Sequence, residues 1–301
     1  MIRSSRIPLT PLQNWLPQAQ LPPHPQGYRL RVWQEDGSNF APLRQQAIDY
    51  VQEALDDARM KLRAGFADDL SPFKGTPADP AANYPALLHR VTLQGYLGET
   101  LAGLAVEHFG AFGHEDWHIP AFLFRFHTTE FQHLDVIDAK LITGGTHDPD
   151  VDDEKRPGRT GDDALAFRID AQGQISDVLT MEAKCLTKHS SGIVKKAHAQ
   201  LSKGAARPSG VRELINLLAD YSTPAAQEWR RRLLAFQAEG FLTANRLDGV
   251  AYAIGNRPKQ AVAWLPADAP HEAYKGKRPL EAMEFQFDDV KKLVDILYRG
   301  K

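Results

Sequence analysis

Cysteine is nearly missing from this chain, with one residue, Cys185, in 301. A lone thiol excludes a disulfide within the chain and fits a reducing compartment. Long apolar runs are missing as well. No stretch approaches the ~20 apolar residues of a membrane-spanning helix, and the opening MIRSSRIPLTPLQNWLPQ lacks the apolar core of an export signal. The expectation is a cytoplasmic protein with no membrane partner. Neither sign of charge dominates: 36 Lys and Arg stand against 38 Asp and Glu, a net charge of −2. A surface for a polyanion must therefore be a local patch and not a global field. There is no internal repeat or low-complexity tract, and the Trp and Tyr residues are dispersed, which argues against a base-stacking platform of the single-strand-binding kind.

What the chain does contain is concentrated between Gly161 and Gln200, GDDALAFRIDAQGQISDVLTMEAKCLTKHSSGIVKKAHAQ. Two apolar runs flank Asp-Ala-Gln-Gly-Gln (170–174), the pattern of a β-hairpin. Alternation along the second strand puts Val178, Thr180, Glu182 and Lys184 on one face and Leu179, Met181, Ala183 and Cys185 on the other. The odd-numbered row is fit for burial. The even-numbered row ends in a carboxylate and an amine, two groups seldom buried without partners.

Such a pairing suits a metal-dependent phosphodiesterase. A hard cation such as Mg2+, or Mn2+ in its place, takes a few carboxylate oxygens and leaves its other positions to water and phosphate. Asp163 and Glu182, on paired strands, supply two such oxygens, and the carbonyl of Ala183 a third. Lys184 then stands beside the attacking water, orienting it and offsetting phosphate charge. Asp162 is the substitute for Asp163, which is preferred because it abuts the apolar run directly. This order of residues resembles the PD-(D/E)xK nuclease superfamily over roughly residues 85–205. There, an Asp opens one strand of a hairpin, Glu-x-Lys closes the next, and a Glu often comes from a preceding helix.

The resemblance implies an α/β fold with a restriction-endonuclease-like core, a mixed central sheet flanked by helices. It also implies a Mg2+-dependent nuclease acting on nucleic acid, with DNA the first choice. Glu99, on a helix from about Ala86 to His108, is the auxiliary carboxylate. It sits among glycines whose use inside a helix, at ~1 kcal/mol each against Ala, points to a close backbone approach. Gln200, on the helix after Lys184, matches a position where superfamily members place a Gln or Lys near the metal. More distantly, the order of elements resembles nuclease subunits of bacterial anti-phage defence systems, including the Hachiman type, which implies a helicase or another defence subunit as partner. A second reading, from another class, is a degenerate nuclease fold that only binds nucleic acid or docks on a partner.

From Lys184 to Arg212 seven Lys or Arg residues occur and no acid. Solvated helix faces usually mix both signs, so Lys188, Lys195, Lys196, Lys203 and Arg207 are the candidate nucleic-acid contacts. The remaining motifs read as decoys. His114-Glu115-x-x-His118 has the letters of a zinc-protease helix, but Pro120 stops any helix at once. Asp138-Ala-Lys140 has no carboxylate-bearing strand before it. Residues 142–160 lack the ligand spacing of a calcium loop. Residues 1–83 are expected to form an N-terminal accessory region, and 84–301 the catalytic core. Strands are expected at Leu247–Ile254, Gln260–Leu265 and Pro279–Phe287, with a closing helix at Asp288–Tyr298.

Overall fold

The computed structural model describes residues 6–21, 27–67, 84–124, 163–203 and 210–300, with isolated positions at 79, 81–82, 137, 140, 143–148, 150 and 208. Asp162, Arg207, Asp138 and most of 142–160 lie outside the described residues. Five strands form one mixed sheet: β1 (Tyr28–Gln34), β2 (Ala164–Ile169), β3 (Ile175–Leu186), β4 (Asn245–Ile254) and β5 (Leu280–Gln286). Their order across the sheet is β1-β5-β4-β3-β2. The first four in that order are mutually parallel, and β2 alone is antiparallel, as the partner of β3 in the hairpin. The hairpin turn closes through Asp170, whose carboxylate accepts the amides of Gln172 and Gln174, while Gly173 takes a positive φ of 78°.

Among the described residues seven α-helices flank the sheet: α1 (Leu9–Trp15), α2 (Arg44–Ala67), α3 (Arg90–Phe109), α4 (Ser191–Ser202), α5 (Val211–Ala219), α6 (Pro224–Ala238) and α7 (Val290–Arg299). The alternation in β3 sorts them into two layers. On one face Leu179, Met181, Ala183 and Cys185 join Ala251, Ala253, Met283 and Phe285, and are covered by α1, α2, α3 and α7. Over β4, β5 and β1, the other face carries Val250, Tyr252, Ile254, Leu30, Val32 and Ala282 against Val194, Ala197 and Leu201 of α4. Over β2 and the start of β3, α5 and α6 close that same face around Leu165, Phe167 and Val178.

Among the described residues of 1–83, β1 pairs with β5 along the whole strand, and α2 shares a single apolar core with α3 and β3. Local sequence gives a strand at 28–34 but does not say that its partner lies some 250 positions later.

Residues 260–265 form no strand. They belong to the long connection 255–279, which crosses the α4 face without regular structure. Two buried carboxylates pin it. Glu284 accepts the amides of Trp264 (2.9 Å) and Leu265 (2.8 Å). Asp248 accepts the Tyr274 hydroxyl (2.7 Å) and pairs with Arg278 (3.2 Å). Two backbone amides of this connection are satisfied not by a neighbouring strand but by the Glu284 carboxylate of β5.

Both margins of the sheet are partly capped. The 17–19 segment bonds to β1, with Ala19 donating to Val32 and Gln34 donating to Pro17. His118 exchanges two backbone bonds of 2.9 Å with Phe167 of β2.

Candidate active site

Register brings the hairpin acids together. Met181 accepts the Asp163 amide at 3.0 Å, so Asp163 extends the β2–β3 ladder by one residue and lies opposite Glu182. The Asp163 carboxylate is fixed by the Ala183 amide, which donates to Oδ2 at 2.8 Å. Lys184, next on the same face as Glu182, places its Nζ 2.5 Å from Glu182 Oε1, 2.9 Å from the Ala183 carbonyl oxygen and 3.5 Å from Asp163 Oδ2. Three oxygens thus converge on one ammonium.

The electrostatics follow from burial and charge. Burial alone would drive the Lys184 pKa down, but the negative charges of Asp163 and then Glu182 outweigh it, and the net shift is upward. Glu182 is itself buried, and its side chain is only 9% exposed. A carboxylate so placed needs a cationic or hydrogen-bonding partner. The donor set of two carboxylates and one carbonyl is the hard-oxygen kind that Mg2+ or Mn2+ takes. The residues present therefore fit such an ion, with Asp163, Glu182 and the Ala183 carbonyl as its protein ligands.

Other expected members stand elsewhere. Glu99 is buried on α3, one residue from Gly98, where a side chain would meet Cys185 Cβ at 3.3 Å. The close backbone approach expected of the helix glycines is present there, but it is to the Ala183–Cys185 face. Burial raises the Tyr298 phenol pKa on α7, and the Glu99 charge adds to that rise. Glu99 does not complete a three-carboxylate set: among the described residues no three His, Cys, Asp or Glu side chains gather closely enough to hold an ion.

Gln200 is half-buried near the end of α4 and makes no hydrogen bond to Asp163, Glu182 or Lys184. The end of α4 packs on 273–275, where Ser202 Oγ bonds the Ala273 carbonyl and the Lys275 amide.

Of the candidate nucleic-acid contacts, Lys188, Lys195, Lys196 and Lys203 are exposed, and none forms an ion pair with another described residue. Lys188, Lys195 and Lys196 lie toward the start of α4, near the C-terminal end of β3. Lys203 is at the far end. Ligands of open α/β sheets collect at the carboxyl ends of parallel strands, so the first three are better placed. His114 and His118 share no helix. The first lies in a bridge with Ala111 and the second pairs with Phe167. Cys185 is fully buried and its thiol pKa is pushed up by that burial, which removes it as a nucleophile.

Sequence reasoning missed the neighbour of Lys184. Tyr252 of β4 is its cross-strand partner. The Tyr252 hydroxyl lies 3.1 Å from His189 Nδ1 and 3.2 Å from the Ser190 amide at the cap of α4. No local signal marks this contact, because Tyr252 arrives from 63 residues later.

No protein-family model matches the chain, and no curated protein matches it. Its function rests on the site itself.

Proposed function

We propose that this chain is a metal-dependent nuclease of the PD-(D/E)xK type, hydrolysing phosphodiester bonds in nucleic acid, with DNA the substrate of first choice and anti-phage defence its setting. The observation that carries the reading is the convergence of Asp163, Glu182 and the Ala183 carbonyl on the Lys184 ammonium. The α/β scaffold, with a mixed sheet, a preceding helix and a basic helix after Glu-x-Lys, agrees with it.

When bound, a hard divalent cation supplies Lewis-acid polarisation of the phosphodiester and a water of lowered pKa. Asp163 and Glu182 hold that ion and, with the Ala183 carbonyl, fix its place at the end of β3. Lys184 does two things at its Nζ: it orients the attacking water and it offsets the charge that builds on the phosphoryl oxygens. The water oxygen bonds to phosphorus as the bond from phosphorus to the leaving sugar oxygen breaks. The attacking water releases a proton to solvent, and the leaving oxygen takes one up from solvent. Lys188, Lys195 and Lys196 hold flanking phosphates.

Purified protein incubated with plasmid, linear and single-stranded substrates, with and without Mg2+ or Mn2+, tests the reading. Cleavage should require the metal and should vanish in Glu182→Gln and in Lys184→Ala, while circular dichroism and oligonucleotide binding are retained. An undiminished rate in either variant removes the mechanism.

The second reading, a degenerate nuclease fold that binds without cutting, draws on one observation: Glu99 does not join the other two carboxylates. Calorimetric titration of Mg2+ into wild type and Asp163→Ala separates the two. Heat of binding in the wild type only supports the enzyme, and none in either supports the binder.

A further inference from the structure

The polar group beside Lys184 has a defined hydrogen-bond direction. Tyr252 is buried at 1% exposure, and its hydroxyl meets two partners, the Ser190 amide and His189 Nδ1. An amide only donates, so the Tyr252 oxygen accepts from Ser190. A phenol has a single proton to give, and the one remaining described partner is the imidazole. Donation to His189 Nδ1 gives the buried Tyr252 O–H its one partner, and it places Nδ1 in the unprotonated form. The proton of a neutral imidazole then sits on Nε2.

The ring is also held in plane. His189 stacks on Trp264 with centroids 4.1 Å apart and planes 8° apart. Trp264 is fixed in turn by its amide to Glu284 and its indole N–H to the Asn256 carbonyl (3.2 Å). Nε2 bonds to no described residue and is not a buried atom. The helix cap does not use the imidazole: Ser190 Oγ caps α4 through the Ile193 amide. A ring clamped on one face and keyed at one nitrogen presents the other nitrogen to solvent, one side chain away from Lys184.

We propose that His189 is a substrate-positioning residue of the nuclease site, and that its Nε2–H, set by Tyr252 and Trp264, donates to a non-scissile phosphate oxygen of the bound nucleic acid. The inference rests on the nuclease reading and adds to it a contact that is directional where the lysines are not. Burial lowers the His189 pKa below its ordinary 6.5, in keeping with a neutral ring at pH 7. A neutral donor adds no charge, so its removal should weaken binding without changing the salt dependence. That signature distinguishes it from a lysine contact.

Two measurements test the proposal. Long-range 1H–15N correlation spectra, with His189 assigned by its loss in His189→Phe, should show the Nε2–H tautomer in the wild type and a mixed population in Tyr252→Phe. The Nδ1–H tautomer in the wild type overturns the proposal. Binding of a fluorescein-labelled oligonucleotide, DNA or RNA, is read by anisotropy in EDTA so that no cleavage occurs. His189→Phe keeps an aromatic ring on Trp264 and removes the Nε2 donor together with the Nδ1 acceptor of Tyr252, and it should weaken binding about tenfold with an unchanged salt slope. Wild-type affinity in His189→Phe overturns the proposal and leaves the nuclease reading standing. No binding of DNA or RNA by the wild type overturns both.

Discussion

Single residues decide two local features. Gly110 ends α3 at φ 69°, and a methyl group there would lie 2.1 Å from the His114 carbonyl oxygen. The neighbouring Arg31 bonds the Phe109 carbonyl (3.0 Å) and the Gly110 carbonyl (2.7 Å) and pairs with buried Glu281. The turn is thus held from the strand below and cannot shift to admit a side chain. Gly110→Ala should cost about 2–3 kcal/mol in urea unfolding. A loss no larger than that of a surface substitution would mean the turn relaxes. Lys184 shows how a charge is tolerated in a partly buried place. Two carboxylates and a carbonyl replace its water, and the same oxygens are those an ion would take.

At the scale of elements, α4 carries the pH sensitivity. His198 is fully buried on it, bonded through Nδ1 to the Val194 carbonyl (2.9 Å) and facing His271. Burial sets its pKa below 6.5, with the His271 charge acting in the same direction. The unfolded imidazole titrates near 6.5, so the unfolded chain takes up the proton first. Stability present above pH 6.5 is therefore lost as the pH falls below it. The urea midpoint should drop between pH 7.5 and 5.5, and His198→Gln should remove part of that slope. An unchanged slope would assign it to other groups.

Elements were also where the sequence was most legible. The period of two in β3 put Glu182 and Lys184 on one face, and Ser190 caps the start of α4. The failures share one cause, a partner far along the chain. QAVAWL alternates like a strand, but Glu284, twenty residues on, takes the amides of Trp264 and Leu265. The glycines of α3 did announce a close approach at Gly98, yet which face of the sheet Glu99 would serve depended on packing against α7. Gln200 was assigned from family position, and it makes no hydrogen bond to Asp163, Glu182 or Lys184.

Across the whole molecule, a net charge of −2 coexists with an unpaired basic face at the start of α4. Affinity for nucleic acid should then depend on a few phosphate contacts. Lys195→Ala with Lys196→Ala should lower the slope of log K against log salt by about 1–2, measured by anisotropy from 50 to 200 mM. An unchanged slope would place the polyanion on another surface. Among the described residues no helix is long and apolar enough to cross a membrane.

The segments bonded alongside β1 and β2 carry a further consequence. With Pro17–Ala19 on one flank and His118 on the other, part of each outer strand is already bonded within the chain, so ladder-type self-association along these edges should be slow even in concentrated solution.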